Sequence, residues 1–156
     1  MKPIDTASAA LASSILAGAA DMTLATVRAD GAPHASTVSF ASDGLTLYVA
    51  IAIDSDKAHD IGRDARVSLT LNAPFRNWSE IQGLSIDGIA SFIDQPDQHA
   101  WASALLLRKL PAYAGIISDT AVLPWPGMLF IRIEPRVLKL LDYTKGFGHT
   151  DRFEFA

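Results

Sequence analysis

Apolar and polar residues alternate with a period of two from Met22 onward, and the alternation is broken at short polar turns. Thr23 to Arg28 forms the first run, followed by Asp30-Gly31. That dipeptide favours a two-residue hairpin because both residues tolerate positive φ. The chain returns over His34 to Ala41 and turns again at Asp43-Gly44. Leu45, Leu47, Val49 and Ile51 then alternate with Thr46, Tyr48, Ala50 and Ala52, which predicts a third strand in an antiparallel meander. Upstream the period is helical: Ala7, Leu11 and Ile15 lie four residues apart and Gly18 offers a stop. This describes an amphipathic helix packed on the sheet.

Ser55 through Arg63 reads as a short helix, and Val67, Leu69 and Leu71 alternate with Ser68, Thr70 and Asn72 as a fourth strand that Pro74 ends. Glu80 to Phe92 is strand-like but carries Gly83 and Gly88. Glycine within a strand marks a bulge or a close backbone approach, as a curved sheet needs. Pro96 opens a helix through Ala100, Trp101, Ala104, Leu105 and Arg108 up to Pro111, and a second helical piece follows over Ala112 to Ile117. Pro124-Trp125-Pro126-Gly127 is rigid loop, two strands flank Pro135 (Met128 to Glu134, Arg136 to Tyr143), and Thr144 to Ala156 shows no period. Six or seven strands joined mostly as hairpins, with two or three short helices, predict a small closed or split β-barrel, because closure removes exposed strand edges.

Composition fits one domain over residues 1–156, with 49% hydrophobic and 19% charged residues. A net charge of -4, with 13 lysines and arginines scattered along the chain, gives no basic stripe for nucleic acid. The absence of cysteine excludes disulfides and thiolate chemistry and suits a reducing cytoplasm. The alanine-rich start lacks the basic region of a signal peptide, having Asp5 there and Ser13-Ser14 within the run. No apolar run reaches the roughly 18 residues that a membrane helix needs.

One loop carries the chemistry that stands out. Ser55 as an N-cap would aim free backbone amides, the helix dipole and the Lys57 ammonium at one spot, an arrangement suited to phosphate. The plainer reading is a capped surface helix with a solvated lysine. His34, His59 and His99 have no carboxylate or histidine at metal-ligand spacing, so no metal site is expected. No G-x-S-x-G, G-x-G-x-x-G or Walker loop is present, which argues against a serine hydrolase, a Rossmann dehydrogenase and a P-loop enzyme.

Six strings in order, Leu24-Ala25-Thr26-Val27, Asp30 to His34, Leu47-Tyr48-Val49, Ser55 to Ile61, Ala65 to Leu69 and Asp87 to Ala90, resemble the split barrels related to pyridoxamine 5'-phosphate oxidase. The resemblance implies a mainly β (α+β), six-stranded antiparallel split barrel with short flanking helices, a homodimer, and FMN in the groove between subunits. It further implies that Ser55 and Lys57 meet the FMN phosphate, that Ser36, Thr37 and Val38 line the isoalloxazine, and that Ala50 and Ile51 flank the ribityl chain through their backbone. Gln82 would reach the partner's flavin. The implied activity is an FMN-dependent oxidoreductase acting on a small molecule, with a non-enzymatic flavin or haem carrier, an F420-dependent reductase and a haem-degrading protein as alternatives.

Departures from the pattern narrow this. Asp56 stands where the family often has a basic residue and Ser36 where the oxidases have arginine, leaving Arg63 or Arg66 to compensate. The oxidases' C-terminal arginine and histidine signature is replaced by Lys145 to Asp151, which argues against pyridoxamine phosphate oxidation itself. Gly146-Phe147-Gly148 is similar to the haem-utilisation branch, making His149 the candidate iron ligand against the plainer reading of a histidine in a mobile tail. Trp78, Trp101 and Trp125 read as core or interface anchors, and Trp125, between two prolines, is also a candidate to overhang the dimer cleft and its cofactor.

Overall fold

In the computed structural model, which describes residues 2–156, the first helix, α1 (Thr6–Gly18), starts where Asp5 accepts hydrogen bonds from the Ser8 amide at 2.8 Å and the Ser8 hydroxyl at 2.9 Å. Its buried face is Ala12, Ile15 and Leu16, with Leu11 only partly covered and Ala7 exposed. The apolar stripe therefore sits about one residue further along than the Ala7, Leu11, Ile15 row suggested.

The first hairpin joins β1 (Asp21–Val27) to β2 (Pro33–Ser39) in the register Val27 with Pro33. Its turn is longer than a two-residue one. The Arg28 amide donates to the Ala32 carbonyl, the Gly31 amide donates to the Arg28 carbonyl, and Gly31 takes φ of 86°. This is a turn closed by a left-handed glycine, a common solution for a three-residue loop. The expected second strand ends early, at Ser39, and a separate strand follows it. The short β3 (Ala41–Asp43) pairs with β4 (Thr46–Ala52), and Gly44 and Leu45 form the two-residue turn between them. Fully buried Phe40 marks the point where the chain leaves the side of β1 and joins β4.

After α2 (Asp56–Arg63), the strands β5 (Arg66–Asn72), β6 (Gln82–Phe92), β7 (Met128–Asp142) and β8 (Thr150–Glu154) complete a sheet of eight strands, with order β2-β1-β5-β6-β7-β4-β3 and β8 on β7. The count exceeds six because β3 separates from β2 at Phe40 and because Thr150–Glu154, without visible period, pairs with Val137 to Leu141. The two strands expected around Pro135 are one strand of 15 residues. Its register against β6 shifts at Gly88, which faces Pro135 while Asp87 faces Val137. A Cβ on Gly88 would lie 2.7 Å from the Glu134 carbonyl oxygen, so this bulge requires glycine.

One edge of β7 carries β6, and the other carries β4 and then β8. The sheet curls until β2 and β4 touch without pairing, which is the split in the barrel. Met22, Leu24, Leu47, Val49, Leu69, Leu84, Ile86, Ile133 and Phe153 fill its interior. A second core lies outside, where α3 (Pro96–Lys109) covers Tyr48 of β4 and Phe130 of β7. The Lys109 ammonium clasps α3 to α1, donating to the Leu16 carbonyl at 3.1 Å and lying 3.6 Å over the Phe40 ring. The short α4 (Tyr113–Ile116) follows, and no helix among the described residues is long and apolar enough to cross a membrane.

Candidate functional site

The site is built where the barrel fails to close. β2 is the last strand on its side of the sheet, and β4 pairs with β3 only through Thr46 to Tyr48. The facing edges of β2 and of Val49 to Ala52 therefore carry backbone amides and carbonyls that no strand uses. α2 opens directly after β4. Ser55 is its N-cap, with Oγ accepting from the Ala58 amide at 3.2 Å and donating to the Ala52 carbonyl at 2.7 Å. That second bond ties the helix start to the end of β4, leaving the first-turn amides of Asp56 and Lys57 without intrahelical partners.

Among the described residues, Lys57 takes part in no ion pair, and its side chain is partly exposed. The two arginines expected to compensate for missing cations are both committed. Arg63 is 2.7 Å from Asp60, and Arg66 is 2.6 Å from Asp64. That partner holds the Asp64 carboxyl down to about 2. Asp56 is exposed at the start of the helix.

Strand alternation separates the residues expected to line the ring. Ser36 and Val38 lie opposite Leu24 and Met22 and so share their inward face, whereas Thr37 lies opposite exposed Thr23 on the outer face. Ser36 Oγ is buried with no hydrogen-bond partner. Ile51 fills the barrel core and Ala50 packs on the outer core, so both meet the split through their backbone. Gln82 faces Asp142 and donates to its carboxylate at 3.2 Å. This is the far end of β7 from Ala52, which faces Met128. A strand of 15 residues spans roughly 45 Å. Gln82 and Lys57 of one chain therefore do not converge.

Trp125 is not at a cleft. It is fully buried, donates its indole N–H to Ser103 Oγ at 3.0 Å, and meets Tyr113 and Phe130 edge-on. The flanking prolines suggest an exposed loop, but α3 provides an apolar socket with one polar partner, which is what an indole needs. Trp101 is exposed, as are Phe75, Phe92, Trp78 and Phe147, the last two in edge contact at 5.4 Å near Gln82. His149 lies in a hydrogen-bonded connection: its carbonyl accepts from the Asp142 amide and its Nε2 is 3.0 Å from Asp151.

A polar cluster at the barrel end next to α2 escapes sequence reading. Asp60, 4% exposed, accepts from Thr26 Oγ1 at 2.8 Å and from Arg63 at 2.7 Å, with His34 Nδ1 at 3.6 Å. The Thr26 hydroxyl above all holds the Asp60 carboxyl below the usual range, against the effect of its burial. His34 thus has a carboxylate neighbour that its sequence spacing conceals. The one available signal was polar Thr26 and Asp60 at positions where each element otherwise turns apolar residues inward. No group of three potential metal ligands exists among the described residues. A concavity of about 570 Å³ lies on the outer face of the sheet around Ala25, Val27, Pro33 and Ile89; Thr26 and Arg66 also line it, whereas Ser36, Val38, Ser55, Lys57 and Gln82 do not.

Residues 12–138 match the family model described as pyridoxamine 5'-phosphate oxidase. The chain belongs to this family. No curated protein matches it in sequence. Among solved structures it is similar to a haem-binding protein from Mycobacterium smegmatis (TM-score 0.79, 19% identity, 97% of this chain), of which it spans only 59%. It is also similar to a conserved hypothetical protein from Mycobacterium tuberculosis (TM-score 0.75, 21% identity, 95% of this chain and 91% of that one). An F420 reductase matches with TM-score 0.60 and 24% identity over 80% of this chain and 93% of that one. At these identities the likeness is one of fold: the pyridoxamine 5'-phosphate oxidase split barrel, in proteins named for different cofactors.

Proposed function

We propose that the protein is a homodimeric FMN-binding oxidoreductase acting on a small molecule. The observation that carries this reading is the meeting of two unpaired strand edges with the capped start of α2 and an uncommitted Lys57, in a chain of this family. Lys57 and the free amides hold the phosphate, with Ser55 fixing the turn that presents them. The backbone edges of residues 36–38 and 50–51 supply hydrogen bonds to the remainder of the cofactor, and the partnerless Ser36 hydroxyl offers one more. When bound, FMN supplies hydride or electron exchange with the substrate, so the chain needs no acid-base triad of its own. The partner's Gln82 completes the cleft, which explains why Gln82 and Lys57 stand far apart within one chain.

A second reading follows from the cation count. With Arg63 and Arg66 paired and Asp56 beside Lys57, the phosphate seat has one free side-chain charge, which also suits the deazaflavin F420 as a diffusible cosubstrate. A haem carrier or haem-degrading role through His149 would require that imidazole to leave Asp151.

Turnover separates an enzyme from a carrier. Protein loaded with FMN and mixed anaerobically with NADH or NADPH is expected to lose its flavin absorbance and regain it with an oxidised acceptor. Light scattering on the same sample should give the mass of two chains. Failure of both nicotinamides and of reduced F420 to react would leave only a carrier, and a monomer would remove the second wall of the cleft.

A further inference from the structure

We propose that Asp60 is the positioning residue of this site: its bond to Thr26 fixes α2 against β1 and thereby sets where Lys57 and the first-turn amides stand. The inference rests on the phosphate-seat reading above and assigns the seat a part that lies behind it.

α2 has eight residues, too few for a helix to hold its own place. Its buried side chains are Ala58, Asp60 and Ile61. Ala58 and Ile61 make apolar contacts, which have no directional preference and tolerate small slides or rotations. The Asp60 to Thr26 bond is directional and lies between groups 4% and 2% exposed. Breaking it would leave a buried carboxylate oxygen with only His34, 3.6 Å away. Arg63 holds the other oxygen from within α2 itself, so it shields the charge without tying the helix to the barrel. Thr26 is therefore the direct hydrogen-bond link between Asp60 and a strand. Lys57 and Ser55 lie three and five residues before Asp60, about 4.5 and 7.5 Å along the axis, so a shift of the helix is transmitted to them undiminished.

A buried polar pair that merely stabilises the fold would affect any ligand equally. A pair that positions the phosphate seat would affect FMN and spare riboflavin, which lacks the phosphate. Affinities for both are therefore measured by fluorescence quenching for the wild type, Thr26→Val and Thr26→Ser. Thr26→Val is expected to weaken FMN about 10-fold while changing riboflavin less than about 2-fold. Thr26→Ser, which keeps the hydroxyl, should restore FMN binding. Equal losses for both flavins, or no loss for FMN, would overturn the proposal.

If the wild type binds no flavin, the FMN reading fails by itself. The positioning claim is then decided by titrating inorganic phosphate and following the amide resonances of Asp56 and Lys57. Shifts in the wild type and Thr26→Ser that are lost in Thr26→Val support it. The same response in wild type and Thr26→Val, or no response in either, overturns it.

Discussion

Replacing Trp125 by alanine is expected to lower stability by about 3–5 kcal/mol, a large part of what holds a small domain folded. The indole is fully buried between Tyr113 and Phe130 and donates to Ser103, which is itself buried. Truncation opens a cavity beneath α3 and leaves the Ser103 hydroxyl without its donor. Thermal unfolding followed by circular dichroism should show a midpoint about 6–20 °C lower, at about 2–4 °C per kcal/mol for a domain of this size. Trp125→Phe, which refills most of the space but not the hydrogen bond, should lose less. A loss below about 1 kcal/mol for the alanine variant would mean that this side chain does not fill the outer core.

Lys57→Ala should leave the fold intact and weaken FMN binding about 10- to 100-fold, the range expected for losing a charged hydrogen bond of about 1.5–3 kcal/mol. The side chain is partly exposed and unpaired, so its removal costs little in packing. Because Arg63 and Arg66 are engaged by Asp60 and Asp64, no nearby guanidinium is free to replace it. Riboflavin affinity should hardly change. Raising the salt concentration should weaken FMN binding to the wild type more than to the variant, since the charge pair being screened exists only in the former. An unchanged FMN affinity would move the phosphate away from the start of α2.

Much of the barrel is legible in the chain because its signals are local. The alternation in β1, β4 and β5, the Gly31 and Gly44 turns, and the Ser55 cap depend on residues within a few positions of one another. β8 is not legible, because Phe153 is its only fully buried residue and neighbouring charges hide the period. Burial of Trp125 is decided by α3, whose Ser103 lies 22 residues upstream, while its immediate neighbours look like loop. The Asp60 cluster joins residues 34 positions apart, and strand register decides that Ser36 faces inward and Thr37 outward. Family resemblance supplies the phosphate seat. It does not reveal that the spare arginines are already paired.

The central claim is that the split between β2 and β4, with the start of α2, holds FMN. Equilibrium dialysis of the purified wild-type protein against FMN, with absorbance recorded on the protein side, tests this most directly. The account predicts saturable uptake of one FMN per chain, with flavin bands altered from those of free FMN. Uptake no greater than that of an unrelated protein, under conditions where the chain is folded and dimeric, would contradict it.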